Sequence, residues 1–186
     1  MGLPSKEEAV LSLFFNEPSK QWHFEEIVRV SKLSRGKVNK WLTKCVKERI
    51  IRHISPRGEM PYFQGWFESP AYRNRKRLYA SSKLYESGFL NHLASLPKAK
   101  TIIIFGSFTR ADWYSGSDID VFIYGSDDGL NEISYRSVLH RNIQVFVATS
   151  TDDLKQMGPG LLRNIIEGII VKGKLDFIRV SPLAAV

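Results

Sequence analysis

Apolar residues in the first third of the chain recur at helical spacing. Ser5 followed by Lys6-Glu7-Glu8 reads as a helix start with acids in its first turn. Ala9, Val10, Leu13 and Phe14 continue that helix, and Asn16-Glu17-Pro18-Ser19 ends it. Trp22-His23-Phe24 reads as a short extended lead-in. Phe24, Ile27, Val28 and Val30 then give a second short helix, followed by the turn Ser31-Lys32-Leu33-Ser34. Ser34 is placed to cap a third helix, where Val38, Trp41, Leu42, Cys45 and Val46 form an i, i+3, i+4, i+7, i+8 stripe. After it the pattern changes. Ile50-Ile51-Arg52-His53-Ile54 and Tyr62-Phe63-Gln64-Gly65-Trp66-Phe67 read as two strands, and the Pro- and Gly-containing run from Ser55 to Pro61 joins them as a hairpin.

Ser69-Pro70 opens another helix, with Ser at the cap and Pro at the first helical position. Ala71, Leu78, Tyr85, Phe89, Leu93 and Leu96 are expected on one broad face, and Gly88 leaves open whether there is one helix or two. Ile102-Ile103-Ile104-Phe105 contains no polar residue and reads as a buried strand. Gly106 permits a tight turn, and Ser107 can start a short helix whose free N–H groups favour phosphate. Asp118-Ile119-Asp120-Val121-Phe122-Ile123 alternates as a second strand. Asn131 to Leu139 reads as a helix, Ile143–Val147 as a strand, and Thr151-Asp152-Asp153-Leu154 as a helix start broken by Met157-Gly158-Pro159-Gly160. Leu161, Leu162, Ile165, Ile166, Ile169 and Ile170 are expected to form one apolar helix, ended by Val171-Lys172-Gly173-Lys174. Leu175 to Val186 is a tail with no packing to predict.

The chemistry concentrates in the middle. Gly106-Ser107 is followed after ten residues by Asp118-Ile119-Asp120. Residues two apart on a strand share a face, so both carboxylates point one way while Ile119, Val121 and Ile123 point the other. Two carboxylates facing a phosphate cradle can bind Mg²⁺ together with a nucleoside triphosphate.

This pattern resembles the signature of the polymerase-beta-like nucleotidyltransferase superfamily. Ser117-Asp118-Ile119-Asp120-Val121 is similar in particular to the small "minimal" (MNT-type) nucleotidyltransferase domains, and the likeness runs from about Leu90 to Lys174. The resemblance implies an α/β (α+β) domain with a mixed sheet. It implies transfer of a nucleoside monophosphate from a triphosphate to a hydroxyl, with release of pyrophosphate. Gly106 and Ser107 would then hold the triphosphate, with Arg110 in reach of a phosphate, and Asp118 and Asp120 would hold Mg²⁺ or Mn²⁺. The family's third acid is expected on the strand Ile143–Val147, where the polar position is Gln144, with Asn142 in phase. Glutamine offers a carbonyl oxygen but no charge. Ala111 stands where many relatives have glycine, which a helix would tolerate. In these relatives a last helix, with a pair like Glu167-Gly168, packs across the sheet. Some are antitoxins that modify a small helical toxin.

Composition sharpens the division. Residues 1–100 carry 19 Lys+Arg against 9 Asp+Glu, and residues 101–186 carry 8 against 10, within a net charge of +8. The basic front half suggests a polyanion partner. Its helices and hairpin resemble a winged helix-turn-helix, whose third helix enters a DNA groove. On that resemblance Arg35, Lys37, Asn39 and Lys40 are the expected helix contacts with DNA or RNA, and Arg57 the contact from the wing. The basic run Arg73, Arg75, Lys76 and Arg77 either extends that surface or keeps a connecting helix solvated. The expected organisation is a winged helix-turn-helix at residues 1–68, a helical connector at 69–97 and the nucleotidyltransferase domain at 98–186.

A lone cysteine, Cys45, excludes an intramolecular disulfide and fits a reducing cytoplasm. Met1–Lys6 lacks the apolar centre of a signal peptide, and no apolar run approaches the roughly 20 residues of a membrane span. No membrane partner is expected. Two readings stand: an active transferase with a recruiting module, or a DNA-binding regulator or antitoxin-like protein with a weak or inactive transferase domain. A protein partner and a homodimer are compatible with either.

Overall fold

The computed structural model describes residues 5–177. Residues 1–4, within the Met1–Lys6 segment expected to lack a signal-peptide centre, and 178–186 of the tail lie outside the described residues. The chain forms two compact units, one of residues up to Glu86 together with Arg110–Ser117, the other of Ser87–Thr109 together with the residues from Asp118 onward.

The first unit opens with α1 (Lys6–Asn16). Its start is a reciprocal cap: Glu8 N–H donates to Ser5 Oγ at 3.2 Å, and Ser5 N–H donates to the Glu8 carboxylate at 3.1 Å. Next come α2 (Phe24–Ser31), α3 (Arg35–Lys47), β1 (Ile51–Ile54) and β2 (Tyr62–Gly65). Trp22 is extended as expected and exchanges two 2.8 Å backbone hydrogen bonds with Phe63, so the lead-in to α2 lies antiparallel against the hairpin. Phe24 itself is the first residue of α2. The expected stripe of α3 is buried at Val38, Leu42 and Cys45, and Val10, Phe14 and Phe15 of α1 and Ile27 of α2 are buried in the same unit.

The long helix α4 (Pro70–Glu86) buries a different face from the one expected. Tyr72, Lys76, Ala80 and Leu84 are inside, while Leu78 and Tyr85 are more than 60% exposed. The buried row runs at i, i+4, i+8, i+12 and includes a lysine, which an apolar count passes over. Lys76 is 1% exposed. Its Nζ donates to the Trp113 carbonyl at 2.5 Å and lies 4.5 Å from the Trp113 ring centroid. Trp113 also stacks on Tyr79 and meets Phe15 edge-on, so Arg110–Ser117 is part of this unit's core.

The second unit begins with α5 (Phe89–Ser95), separated from α4 by Gly88 at φ +78°. The segment 69–97 therefore contains two helices, α4 in the first unit and α5 in the second. A four-stranded mixed sheet follows, in the order β5-β4-β3-β6, with β3 (Ala99–Phe105), β4 (Ile119–Gly125), β5 (Ile143–Ala148) and β6 (Ile169–Lys172). β3 is antiparallel to β4 and β6, while β4 is parallel to β5. Both central strands bury apolar residues on two faces. On one side Ile103, Phe105 and Phe122 pack with Leu154 of α8 (Thr151–Gln156) and Ile165 of α9 (Pro159–Ile166). The helix α7 (Glu132–Leu139) is capped by the Asn131 side chain.

One expectation is corrected here. Ile169 and Ile170 do not continue the apolar helix. α9 stops at Ile166, and they enter edge strand β6 at 53% and 45% exposure. Gly168 is the reason. A Cβ there would stand 2.5 Å from Ile103 Cγ2 and 2.7 Å from the Ile104 carbonyl oxygen, so only glycine lets the backbone press onto β3 at this point.

Candidate active site

The pairing of the strands assembles the motif residues. β3 ends at Phe105, which stands opposite Asp120 of β4, and Asp120 stands opposite Gln144 of β5. Paired residues share a face, so Asp120 and Gln144 lie on the side of the sheet that Phe105 and Phe122 also occupy. Asp118 immediately precedes β4, in phase with Asp120. The Ile119 N–H donates to the Asn142 carbonyl at 2.9 Å, which ties the start of β4 to the residue before β5. Asp118 and Asp120 are both half-buried, whereas Ile119 and Val121 between and after them are fully buried.

Gly106 turns out of β3 at φ +78°, a conformation that L side chains rarely adopt. There is a second constraint on it. A Cβ at Gly106 would lie 3.1 Å from Asp120 Cγ and closer still to Asp120 Oδ2. The glycine therefore lets the turn and the carboxylate occupy adjoining space. Ser107 opens α6 (Ser107–Arg110), a single turn, and Thr109 Oγ1 donates to the Gly106 carbonyl at 2.9 Å. Any anion affinity of this cradle comes from the local N–H groups of the turn more than from a helix dipole, because one turn sums few peptide dipoles.

Arg110 ends α6, and its Nε donates to Asp112 Oδ2 at 3.0 Å. Ala111 corrects a sequence expectation. It does not sit within a helix but follows one, at φ +64°, where glycine would be unstrained and alanine is not. Sequence reading also missed Arg141. Its guanidinium lies 5.2 Å from the ring centroid of Phe108, the residue after Ser107. Its position directly before Asn142 and the strand bearing Gln144 was the available signal.

Among the described residues, no group of three or more His, Cys, Asp and Glu side chains is arranged to hold a metal ion. Asp118 and Asp120 alone still suit Mg²⁺. That ion commonly takes one or two carboxylates and completes its shell with water and substrate phosphates.

Of the candidate nucleic-acid contacts, Arg35 is held by Glu25, with a guanidinium nitrogen 2.5 Å from a carboxylate oxygen, and lies over the Phe24 ring. Lys37, Asn39 and Lys40 are exposed on α3. Arg57 lies in the β1–β2 loop, which turns at Gly58 with φ +81°. No helix among the described residues is long and apolar enough to cross a membrane.

No curated protein matches the chain. Residues 90–176 match the model of the family described as polymerase beta, nucleotidyltransferase. The mixed sheet that carries Gly106, Asp118 and Asp120 lies within that span, which supports a polymerase-beta-like nucleotidyltransferase domain there.

Proposed function

We propose that this protein is a Mg²⁺- or Mn²⁺-dependent nucleotidyltransferase that moves a nucleoside monophosphate from a nucleoside triphosphate to a hydroxyl acceptor. One observation carries the reading: strand register sets Asp120 beside the Gly106 turn, inside the span that matches the family. Phosphoryl and nucleotidyl transfer need little covalent participation by the protein, so positioning and charge neutralisation dominate. In this proposal the Gly106 turn and the Ser107 N–H and hydroxyl bind the triphosphate. Asp118 and Asp120 hold the metal ion, which when bound offsets the charge of the phosphates. Arg141, beside α6, joins Arg110 as a cation for the triphosphate or the departing pyrophosphate. The acceptor oxygen attacks the α-phosphorus, the bond to the pyrophosphate oxygen breaks, and the acceptor proton passes to water or a nearby base.

A second reading is favoured by Gln144. This residue faces Asp120 where an acid would help activate the acceptor hydroxyl, and it carries no charge. With that step weakened, the protein would serve as a nucleotide-binding DNA regulator or antitoxin-like partner. In both readings the front helices and hairpin act as a winged-helix module in the cytoplasm. Lys37, Asn39, Lys40 and Arg57 face DNA or RNA, or a protein partner, with a homodimer as the natural way to present two such modules.

The test is transfer of label from α-phosphate-labelled nucleotides, with Mg²⁺ or Mn²⁺ and a cell lysate as the acceptor source. Asp118→Asn with Asp120→Asn is the control. Label on an acceptor only with the intact protein supports the transferase and identifies the acceptor class. No transfer by well-folded protein from any nucleotide favours the regulator.

A further inference from the structure

The first unit holds a cavity of about 470 Å³, within the size range of small-molecule sites. Its wall includes Arg73 and Lys76 of α4, the Arg110–Asp112 ion pair, and the Phe67 and Tyr72 side chains. Two guanidinium groups and the Lys76 amine meet one carboxylate there, and that carboxylate is already engaged by Arg110. Lys76 is the unusual member. Its Nζ is buried, donates to the Trp113 carbonyl and is flanked by the Tyr72 and Trp113 rings. Arg73 is exposed, lines the cavity, and its Nε donates to the Phe67 carbonyl at 3.1 Å. Phe67 is 44% exposed, an aromatic face available for stacking.

We propose that this cavity is a binding site for a mononucleotide, with the phosphate held by Arg73 beside the buried Lys76 amine and the base against Phe67. The site consists wholly of first-unit residues; it shares Arg110 with the residues proposed for the triphosphate, and in contrast to the proposed catalytic site it requires no divalent metal.

Isothermal titration of the full chain in EDTA, with AMP, adenosine and inorganic phosphate as probes, tests it. AMP should bind saturably and more tightly than inorganic phosphate or adenosine. Arg73→Gln should weaken AMP about tenfold, the loss of one charge-assisted hydrogen bond. Phe67→Ala should weaken AMP several-fold and leave phosphate unchanged. Asp118→Asn with Asp120→Asn should leave AMP binding as it was, which separates this site from the proposed catalytic one. AMP binding no tighter than phosphate overturns the proposal. So does AMP affinity unaltered by both Arg73→Gln and Phe67→Ala, or lost in the double aspartate variant.

Discussion

Asp120 stands directly opposite Gln144 across the parallel pairing of β4 and β5. An acid at position 144 would therefore share the sheet face of Asp120 at neighbouring-strand distance. Gln144→Glu changes little in size and adds a charge and a base. Under the transferase reading it should raise the rate of label transfer by about tenfold or more, at the lower end of what a positioned base contributes. An unchanged or reduced rate would mean that the acceptor proton leaves by another route.

Much of this site is legible in the sequence, because a glycine turn, two acids two apart and flanking apolar runs are all local patterns. The alignment of Asp120 with Gln144 is not local. It depends on strands separated in the chain, and Arg141 gains meaning only through it. The errors have similar causes. The buried face of α4 is hidden from the sequence because one of its members is a lysine whose partner, Trp113, is distant in the chain. The step from α9 to β6 was missed because isoleucines suit a helix or a strand, and the decision rests on how closely Gly168 approaches β3. Ala111 was read as helical, whereas α6 ends one residue before it.

Gly168→Ala should destabilise the second unit by about 2 kcal/mol or more, the cost of overpacking against backbone that cannot give way. Urea denaturation followed by circular dichroism measures it. A cost within 0.5 kcal/mol, roughly that of a neutral surface change, would mean that β6 lifts from β3 easily.

Burial pushes the Cys45 thiol up to about 12, with the Glu7 and Glu48 carboxylates adding to the effect. At pH 8 the thiolate is then scarce, and the sulfur is covered. Ellman's reagent at that pH should react with the denatured protein promptly and with the folded protein only as slowly as it opens. Prompt reaction of folded protein would contradict the placement of Cys45.

Asp153 accepts from the Thr149 N–H at 2.7 Å, the Thr149 hydroxyl at 2.8 Å and the Ser150 N–H at 3.0 Å. These donors, the Thr149 N–H first, hold its carboxyl below the ordinary value of 3.8. A depressed folded value stabilises the fold above pH 3.8, and that contribution is lost as pH falls through the folded value. The stability difference between wild type and Asp153→Asn should be fully present at neutral pH and shrink in acid. A difference independent of pH, measured by urea midpoints, would reject this account.

If the front unit binds DNA, the cations of α3 should contribute unequally. Lys37→Ala and Lys40→Ala should each lower the salt-dependence slope of binding by about one. Arg35→Ala should change it less, because Glu25 already neutralises Arg35, and Glu25→Gln should strengthen binding. Fluorescence anisotropy across a salt series reads all four. Equal slopes in every variant would remove α3 from the interface.

Trp113 has a bearing on the order of events during synthesis. The ring completes the packing around Phe15, Tyr79 and Lys76, yet it leaves the ribosome well after the helices it joins. A nascent chain ending at Glu86 has every helix and strand that the first unit contributes before that point, but carries the Lys76 ammonium without the carbonyl that receives it. The N-terminal unit thus reaches its final packing only after the strand β3, which belongs to the other unit, has been translated.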